Sequence, residues 1–153
     1  MKIAMGSDHA GYDLKEEVKR LLTAQGHEIL DFGAPSTDAC DLPDYVYPAA
    51  LAVARGAAER GIFIDGVGYG SAMIANRIYG LNAAVCQDPF CAMLARAHSN
   101  TNVLCLGAKI IGSAIALETI RVWLTTDFLQ EEKYQRRVGK VNDIVEKHLK
   151  RLD

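Results

Sequence analysis

The sequence predicts an α/β fold in which helices cover both faces of a parallel sheet, as a three-layer αβα sandwich. Short apolar runs suited to strands alternate with segments of helical spacing along all 153 residues. In addition, the apolar run 61–64 leads into a glycine-rich turn, which is typical of a strand that re-enters as a helix. A chain of this length can bury a substantial core, so we expect one domain over residues 1–153.

The first half of the chain contains two predicted strands, at 2–6 and 27–32. The helix between them carries apolar residues at helical spacing and stops at a glycine: Leu14, Val18, Leu21, Leu22 and Gly26. Residues 34–42 are polar and irregular. Pro43 then opens an alanine-rich helix that we expect over about 44–59.

The second half supplies three more strands, which makes five in all. We expect these strands at 61–65, 81–86 and 103–106, and the helices between and after them at 71–78, 89–97 and 113–125. A polar joint at 126–132 leads to a charged final helix that reaches nearly to Asp153.

The composition of the chain limits which partners, which cellular compartment and which metal sites we expect. A formal net charge of −2 gives no reason to expect nucleic acid or an acidic membrane as partner. No apolar run approaches the length of a membrane span, and the chain starts directly with a strand-like segment, so we expect a cytoplasmic protein. The four cysteines form no C-x-x-C pair and no zinc pattern, so we expect free thiols and no metal.

The stretch from Asp65 to Ser71 carries the strongest chemical signal. Alternating glycines at 66, 68 and 70 point backbone N–H groups at one small volume, and the following helix adds partial positive charge there. Because Asp65 ends the strand, its carboxylate is expected to face the same volume, which predicts proton transfer beside a carbonyl. The alternative is a tight connection in which Asp65 only caps the helix. The glycine spacing matches neither a dinucleotide fingerprint nor a P-loop.

The order of the strands divides the candidate residues between two edges of the sheet. The turns after the first, third and fifth strands, with Asp8, His9, Asp65 and residues 107–109, are expected along one edge. His98 precedes the fifth strand and is therefore expected at the opposite edge. One subunit does not easily bring His98 to Asp65, whereas the second subunit of a dimer could.

Several segments together resemble the type B ribose-5-phosphate isomerase family and its galactose-6-phosphate isomerase relatives. They are Ser7-Asp8-His9-Ala10-Gly11 with Leu14-Lys15, Pro43-Asp44-Tyr45, the glycine loop with Ile74-Ala75-Asn76, Arg96-x-His98 with Asn102-Val103-Leu104, and Gln135-Arg136-Arg137-Val138. The resemblance implies a Rossmann-like αβα fold with five strands. It also implies aldose–ketose isomerisation without metal or cofactor, in homodimers whose active sites are shared between subunits. Further pairing into tetramers is left open.

The resemblance also implies a role for each matching residue. His98 would open the sugar ring, Asp8 and Tyr45 would hold hydroxyl groups, and His9 and Arg137 would bind phosphate. The backbone of the loop would stabilise the enediolate oxygen, with these residues lining the substrate: Gly66, Val67, Gly68, Tyr69, Gly70 and Ser71.

Four positions depart from the family pattern. Asp65 stands where the family has its cysteine base, and Val67 replaces a threonine. Lys133 replaces a phosphate-binding arginine, and Ser99 replaces the asparagine after the ring-opening histidine. We therefore expect an isomerase of a phosphorylated pentose or hexose that uses Asp65 as base. An isomerase of a free sugar and a catalytically silent sugar-phosphate-binding protein remain the alternatives.

Overall fold

The computed structural model describes all 153 residues and contains five strands and six helices. The strands are β1 (Lys2–Ser7), β2 (Glu28–Asp31), β3 (Arg60–Asp65), β4 (Ala83–Val85) and β5 (Val103–Gly107). The helices are α1 (Tyr12–Ala24), α2 (Leu42–Ala54), α3 (Tyr69–Ala75), α4 (Pro89–Ala97), α5 (Ser113–Thr125) and α6 (Glu132–His148). All strand pairs are parallel, in the order β2-β1-β3-β5-β4.

Helices cover both faces of the sheet because successive strand side chains point to opposite sides. In β3, Ile62 and Ile64 pack with α1, α4 and α5, whereas Phe63 packs with α2 and α3. Trp123 of α5 is fully buried in the first of these layers and Ala49 of α2 in the second. The predicted three-layer αβα sandwich with a five-stranded parallel sheet and a C-terminal helix is confirmed.

The alanine-rich helix α2 is shorter than the sequence predicted. It ends at Ala54 instead of continuing to residue 59, and Gly56 follows with φ of +74°. A left-handed glycine just beyond a helix is a common way to stop it. The alanine pattern alone therefore overestimated the length of this helix.

Helix α3 starts earlier than predicted, at Tyr69 rather than Ser71. Gly68 adopts φ of +87° and turns the chain from the loop into the helix, so that Gly70 is already helical. The last two loop glycines therefore differ in role, since one makes the turn and the other lies in the first helical turn. The helix ends at Ala75, three residues before the predicted end.

Helix α6 lies on the surface, and none of its side chains is fully buried. Its apolar residues fall on one stripe at helical spacing: Tyr134, Val138, Val141 and Val145. Tyr134, Val138 and Val141 line a cavity between α6 and the amino edge of the sheet. None of the six helices combines the length and the apolarity that a bilayer span requires.

Candidate active site

The carboxyl edge of the sheet brings the first group of predicted residues together. Asp8 follows the end of β1, which pairs with β3, so Asp8 and Asp65 lie on neighbouring strand ends. Asp8 Oδ1 accepts a hydrogen bond from the Gly11 N–H at 3.1 Å and closes the turn. A Cβ on Gly11 would lie 2.0 Å from the carbonyl oxygen of Ile64, so the turn packs directly on β3.

Two other elements flank the glycine loop. Leu42, the first residue of α2, packs against Gly70, since a Cβ added to Gly70 would lie 2.6 Å from Leu42 Cδ2. The first turn of α2 therefore lies at this edge, and Tyr45 belongs to that turn. On the β5 side, the Cδ of Lys109 is 3.5 Å from the position of a Cβ on Gly66. Lys109 is exposed and forms no ion pair, so a free ammonium group lies beside the loop.

The Asp65 carboxylate is buried, with 3% of the residue exposed, and accepts four hydrogen bonds from its own loop. Oδ1 accepts the N–H groups of Val67, at 2.9 Å, and of Gly68, at 2.5 Å. Oδ2 accepts the N–H of Ser71 at 3.0 Å and its hydroxyl at 2.6 Å. Both carboxylate oxygens therefore hold the loop against the first turn of α3.

These hydrogen bonds correct one expectation from the sequence. The Asp65 carboxylate is surrounded by polar donors, although the apolar residues Ile64 and Val67 stand near it in the sequence. The loop N–H groups were expected to face an enediolate oxygen, yet those of Val67, Gly68 and Ser71 point at Asp65 instead. Gly66, Tyr69 and Gly70 are the loop residues whose N–H groups do not bind this carboxylate.

A backbone contact determines the tautomer of His9. The N–H of Cys40 donates to His9 Nδ1 at 3.3 Å, so Nδ1 carries the lone pair and Nε2 carries the hydrogen. The Cys40 sulfur lies 3.8 Å from the same nitrogen. His9 therefore offers an Nε2–H donor at the carboxyl edge, which suits an anionic or hydroxyl oxygen.

The second group of predicted residues gathers around a cavity of about 520 Å³. His98, at the end of α4, lines this cavity together with Ser99, Tyr134 and Arg137. The His98 and Tyr134 rings stack with their centroids 4.2 Å apart and their planes 12° from parallel. Stacking orients one face of the imidazole and leaves its edge to meet a bound molecule.

The two cationic residues predicted for phosphate binding differ in their surroundings. Arg137 forms no ion pair and lies 5.9 Å from the Tyr134 ring centroid, at the cavity wall. Lys133 is half exposed and pairs with Glu131 at 3.0 Å, which raises the pKa of the ammonium. Of these two residues, Arg137 is therefore the one that is free to bind an anion.

The sheet separates the two groups within one chain. Asp65 pairs in register with Gly107, the last residue of β5, whereas His98 lies five residues before the first residue of that strand. The His98 cavity is also lined by Ala83, which pairs with the first residue of β5. The four residue steps of β5 alone span roughly 13 Å.

Comparison with known proteins identifies the family to which this fold belongs. The family model described as Ribose/Galactose Isomerase matches residues 3–141. The chain belongs to this family. A solved ribose-5-phosphate isomerase B from Clostridium thermocellum is similar over 97% of this chain and 99% of its own, with 40% identity and a TM-score of 0.93.

Two curated relatives show how wide the activities of similar proteins are. Ribose-5-phosphate isomerase B of Escherichia coli is 38% identical over 94% of this chain and 95% of its own length. D-erythrulose-4-phosphate isomerase of Pectobacterium atrosepticum is 36% identical over 84% and 85%. The chain is thus a sugar-phosphate isomerase of the ribose/galactose isomerase family.

Two residues of this isomerase were missed as site residues from the sequence. Tyr134 stacks on His98, but a lone aromatic on a charged helix carries no chemical signal in the sequence. Lys109 was placed at the correct edge, but nothing in its sequence context distinguished it from an ordinary surface lysine. Both became visible only because α6 and β5 bring them beside predicted residues.

Three of the four thiols of this isomerase are unsuited to act as the base. Burial raises the pKa of Cys86 to about 12, and burial with the nearby Asp65 charge raises that of Cys105 well above its usual range. Cys91 is exposed, but a hydrogen bond to Asp88 raises its pKa as well. These three thiols are protonated at neutral pH and unsuited to proton abstraction.

Proposed function

We propose that this protein interconverts an aldose phosphate and the corresponding ketose phosphate through an enediolate, with Asp65 as the base. The observation that carries the proposal is a buried carboxylate at the end of β3, beside a glycine loop and the Asp8-His9 turn. Asp65 would remove the proton from C2 of the aldose and return it to C1. A carboxylate needs no prior deprotonation at neutral pH, unlike a thiol.

The enediolate oxygen would be held by the loop donors that Asp65 leaves free. These are the N–H groups of Gly66, Tyr69 and Gly70, near the positive end of α3. Asp8 and Tyr45 would hold substrate hydroxyl groups at the same edge. Lys109 adds a positive charge that favours the anionic intermediate.

The phosphate and the ring would be handled by the other group of residues. Arg137 would bind the phosphate through a two-pronged, charge-assisted contact, with Lys133 on the same helix. The Nε2–H of His9 lies at the carboxyl edge and would reach the same phosphate only from a second copy of the chain. His98 would open the sugar ring by moving a proton between the ring oxygen and the anomeric hydroxyl, with Ser99 next to it. The stacked Tyr134 would keep the imidazole in place during this step.

A complete site would need two copies of the chain. Asp65 and His98 lie at opposite edges of the sheet in one subunit, and proton transfer requires both near one small sugar. A two-fold homodimer would place the His98 cavity of one subunit over the glycine loop of its partner, in two equivalent sites.

A phosphorylated pentose is the first candidate substrate, since the E. coli and C. thermocellum relatives are both named for ribose 5-phosphate. A four-carbon sugar phosphate is the second candidate, because a relative of similar identity is named for D-erythrulose 4-phosphate. The two substrates differ in chemistry. Ribose 5-phosphate closes into a ring, whereas a tetrose 4-phosphate has its C4 oxygen esterified and stays open.

The experiment is an aldose–ketose assay with ribose 5-phosphate, erythrose 4-phosphate, galactose 6-phosphate and the corresponding free sugars. We expect turnover of at least one phosphate and little turnover of its free sugar. Equal rates with and without phosphate would favour the free-sugar isomerase and refute the phosphate contacts. No turnover of any compound, together with binding of a sugar phosphate by calorimetry, would indicate a silent binding protein.

The role of His98 is tested with His98→Asn on the two phosphate substrates. Asn keeps a polar side chain of similar reach but does not shuttle a proton at neutral pH. We expect kcat to fall about 10²-fold or more on ribose 5-phosphate and much less on erythrose 4-phosphate. Equal losses on both would place His98 outside ring opening.

A further inference from the structure

Arg96 is a buried cation without a carboxylate in direct contact. The residue is 8% exposed, and its guanidinium donates only to neutral oxygens. Nη1 donates to the Asn100 Oδ1 at 3.1 Å and to the Thr101 carbonyl, and Nε donates to the Thr126 carbonyl at 3.3 Å. Burial and the nearby Arg60 lower the pKa of Arg96 to about 10, so the group stays charged at neutral pH.

The three acceptors of Arg96 belong to two segments: the loop that carries His98, and the joint that leads to α6. Asn100 and Thr101 close the loop that begins with His98 and Ser99. Asn100 has φ of +48°, a left-handed conformation that is uncommon without glycine, and the hydrogen bond from Arg96 holds its side chain there. Thr126 directly follows α5 and starts the joint that leads to α6.

A second set of contacts joins the same two segments. The N–H of Leu129, in the joint before α6, donates to the Ala97 carbonyl at 3.0 Å. The indole N–H of Trp123 in α5 donates to Thr101 Oγ1 at 3.0 Å. Arg96 is the residue that bonds to both segments at once, from the buried side.

We infer that Arg96 is the positioning residue that holds the His98 loop in register with α6. Its guanidinium is a rigid fork whose donors reach three acceptors in fixed directions, and a lysine ammonium does not reproduce that geometry. His98 then meets the same substrate as Arg137, which lies on α6, the helix that follows the joint. This inference rests on the proposed function for the roles of these two residues.

The test compares Arg96→Met and Arg96→Lys with a matched control, Arg60→Met. Arg60 is also partly buried and donates to backbone carbonyls of α5, those of Trp123 and Leu124, but it does not contact the His98 loop. All three variants lose a buried guanidinium. If Arg96 positions the loop, the Arg96 variants should lose more activity than Arg60→Met does at similar thermal stability.

We expect both Arg96 variants to raise KM, because Arg137 is no longer aligned with the substrate phosphate. We also expect them to lower kcat on ribose 5-phosphate about tenfold more than on erythrose 4-phosphate, because His98 is misplaced for ring opening. Arg60→Met should change kcat by the same factor on both substrates. Equal losses at both positions, in proportion to the folded fraction, would overturn the inference and leave Arg96 a purely structural residue.

A readout without activity separates this inference from the proposed function. The His98 ring protons lie over Tyr134, so NMR should show ring-current shifts in the wild type that disappear in Arg96→Met and persist in Arg60→Met. Persistence of these shifts in Arg96→Met would refute the positioning role even in an active enzyme. A wild-type protein that is inactive on every sugar phosphate would refute the proposed function. The NMR result would still show whether Arg96 positions the His98 loop.

Discussion

At the scale of single residues, the Asp65 carboxylate is both the proposed base and the acceptor that holds its own loop. An Asp65→Asn change does not separate these roles. The amide retains one acceptor oxygen, but its NH₂ group would face the N–H of Ser71, donor against donor. A loss of activity in that variant would combine a missing base with a distorted loop.

A cysteine and a serine at position 65 form a better pair, because they have similar size and only the thiol becomes a good base. Both remove the hydrogen bonds to Oδ1 and Oδ2. We expect kcat of Asp65→Cys to exceed that of Asp65→Ser by about 10²-fold. Its activity should also require higher pH than wild type, because a thiol must first ionise near its reference pKa of about 8.5.

The measurement is a pH profile of kcat for wild type, Asp65→Cys and Asp65→Ser, with circular dichroism to verify folding. If the two variants lose activity equally across the pH range, Asp65 organises the loop and another group takes the proton.

Arg137 and its neighbour Arg136 provide a test of the phosphate contact. Arg136 pairs with Glu132 within α6, whereas Arg137 is free at the cavity wall. A charge-assisted hydrogen bond contributes about 1.5–3 kcal/mol, so Arg137→Met should raise KM for a sugar phosphate at least about tenfold. Arg136→Met should leave KM within about twofold, as expected for an exposed ion pair.

Steady-state kinetics with phosphate as a competing inhibitor measure this difference. The inhibition constant of phosphate should rise with KM in Arg137→Met. An unchanged inhibition constant would mean that the anion binds elsewhere, with Lys109 beside Gly66 as the next residue to test.

At the scale of elements, four charged groups tie α1 to the end of β2. The Lys15 side chain is 2% exposed, and its ammonium bonds to Glu16 and to Asp31, each at 2.8 Å. Lys19 bonds to the same two carboxylates, at 2.6 and 2.7 Å. Burial alone would raise the pKa of Asp31, but the hydrogen bonds from Lys15, Lys19 and the Gly33 N–H, together with the Lys15 charge, outweigh it and lower the pKa. The same lysines lower the pKa of Glu16.

The direction of these shifts predicts a loss of stability in acid. A lowered folded-state pKa means that the native state binds protons less readily than the unfolded chain. The stabilisation is therefore complete above the unfolded values, about 3.9 for Asp and 4.3 for Glu, and disappears as pH falls below them. We expect Asp31→Asn to be less stable than wild type at pH 7 by about 1.5–3 kcal/mol and to lose less on acidification.

Urea unfolding at neutral and acid pH measures both effects, with Glu28→Gln as a control. Glu28 belongs to the same strand, but its ion pair with Lys2 is exposed. If Asp31→Asn and wild type lost equal stability on acidification, the network would not be the acid-sensitive part of the fold.

Strands and helices whose side chains are buried could be predicted from the sequence. The apolar runs that became β1, β3 and β5 are buried on both sides, which leaves little ambiguity. Chain direction in a parallel sheet then placed Asp8, Asp65 and His98 at the correct edges. The end of α2 and the start of α3 depend on the left-handed glycines 56 and 68, and glycine composition does not reveal backbone angles.

Details of the site that depend on contacts formed only in the folded chain could not be predicted from the sequence. The N–H groups of the glycine loop were expected to face the substrate, but the chain folds back and directs those of Val67, Gly68 and Ser71 at the Asp65 carboxylate. The Tyr134 stack and the tautomer of His9 likewise depend on contacts between segments more than thirty residues apart, 98 with 134 and 9 with 40.

At the scale of the whole molecule, each chain carries two groups of candidate site residues at opposite edges of the sheet. The glycine loop lies at the carboxyl edge, and His98 with α6 lies at the amino edge. Helix α6 has no buried side chain, and Val141 and Ile144 are exposed apolar residues on it. These exposed residues are consistent with a partner subunit near the His98 cavity.

Subunit hybrids test the shared site most directly. One chain carries Asp65→Ser, the other carries His98→Asn, and a different affinity tag on each allows the hybrid dimer to be purified from co-expressing cells. In a shared-site dimer, one site of the hybrid contains both substitutions and the other contains neither. We expect each parent to be inactive on ribose 5-phosphate and the hybrid to recover about half of wild-type activity per dimer. A hybrid as inactive as its parents would contradict the shared site and place Asp65 and His98 in the same subunit's active centre.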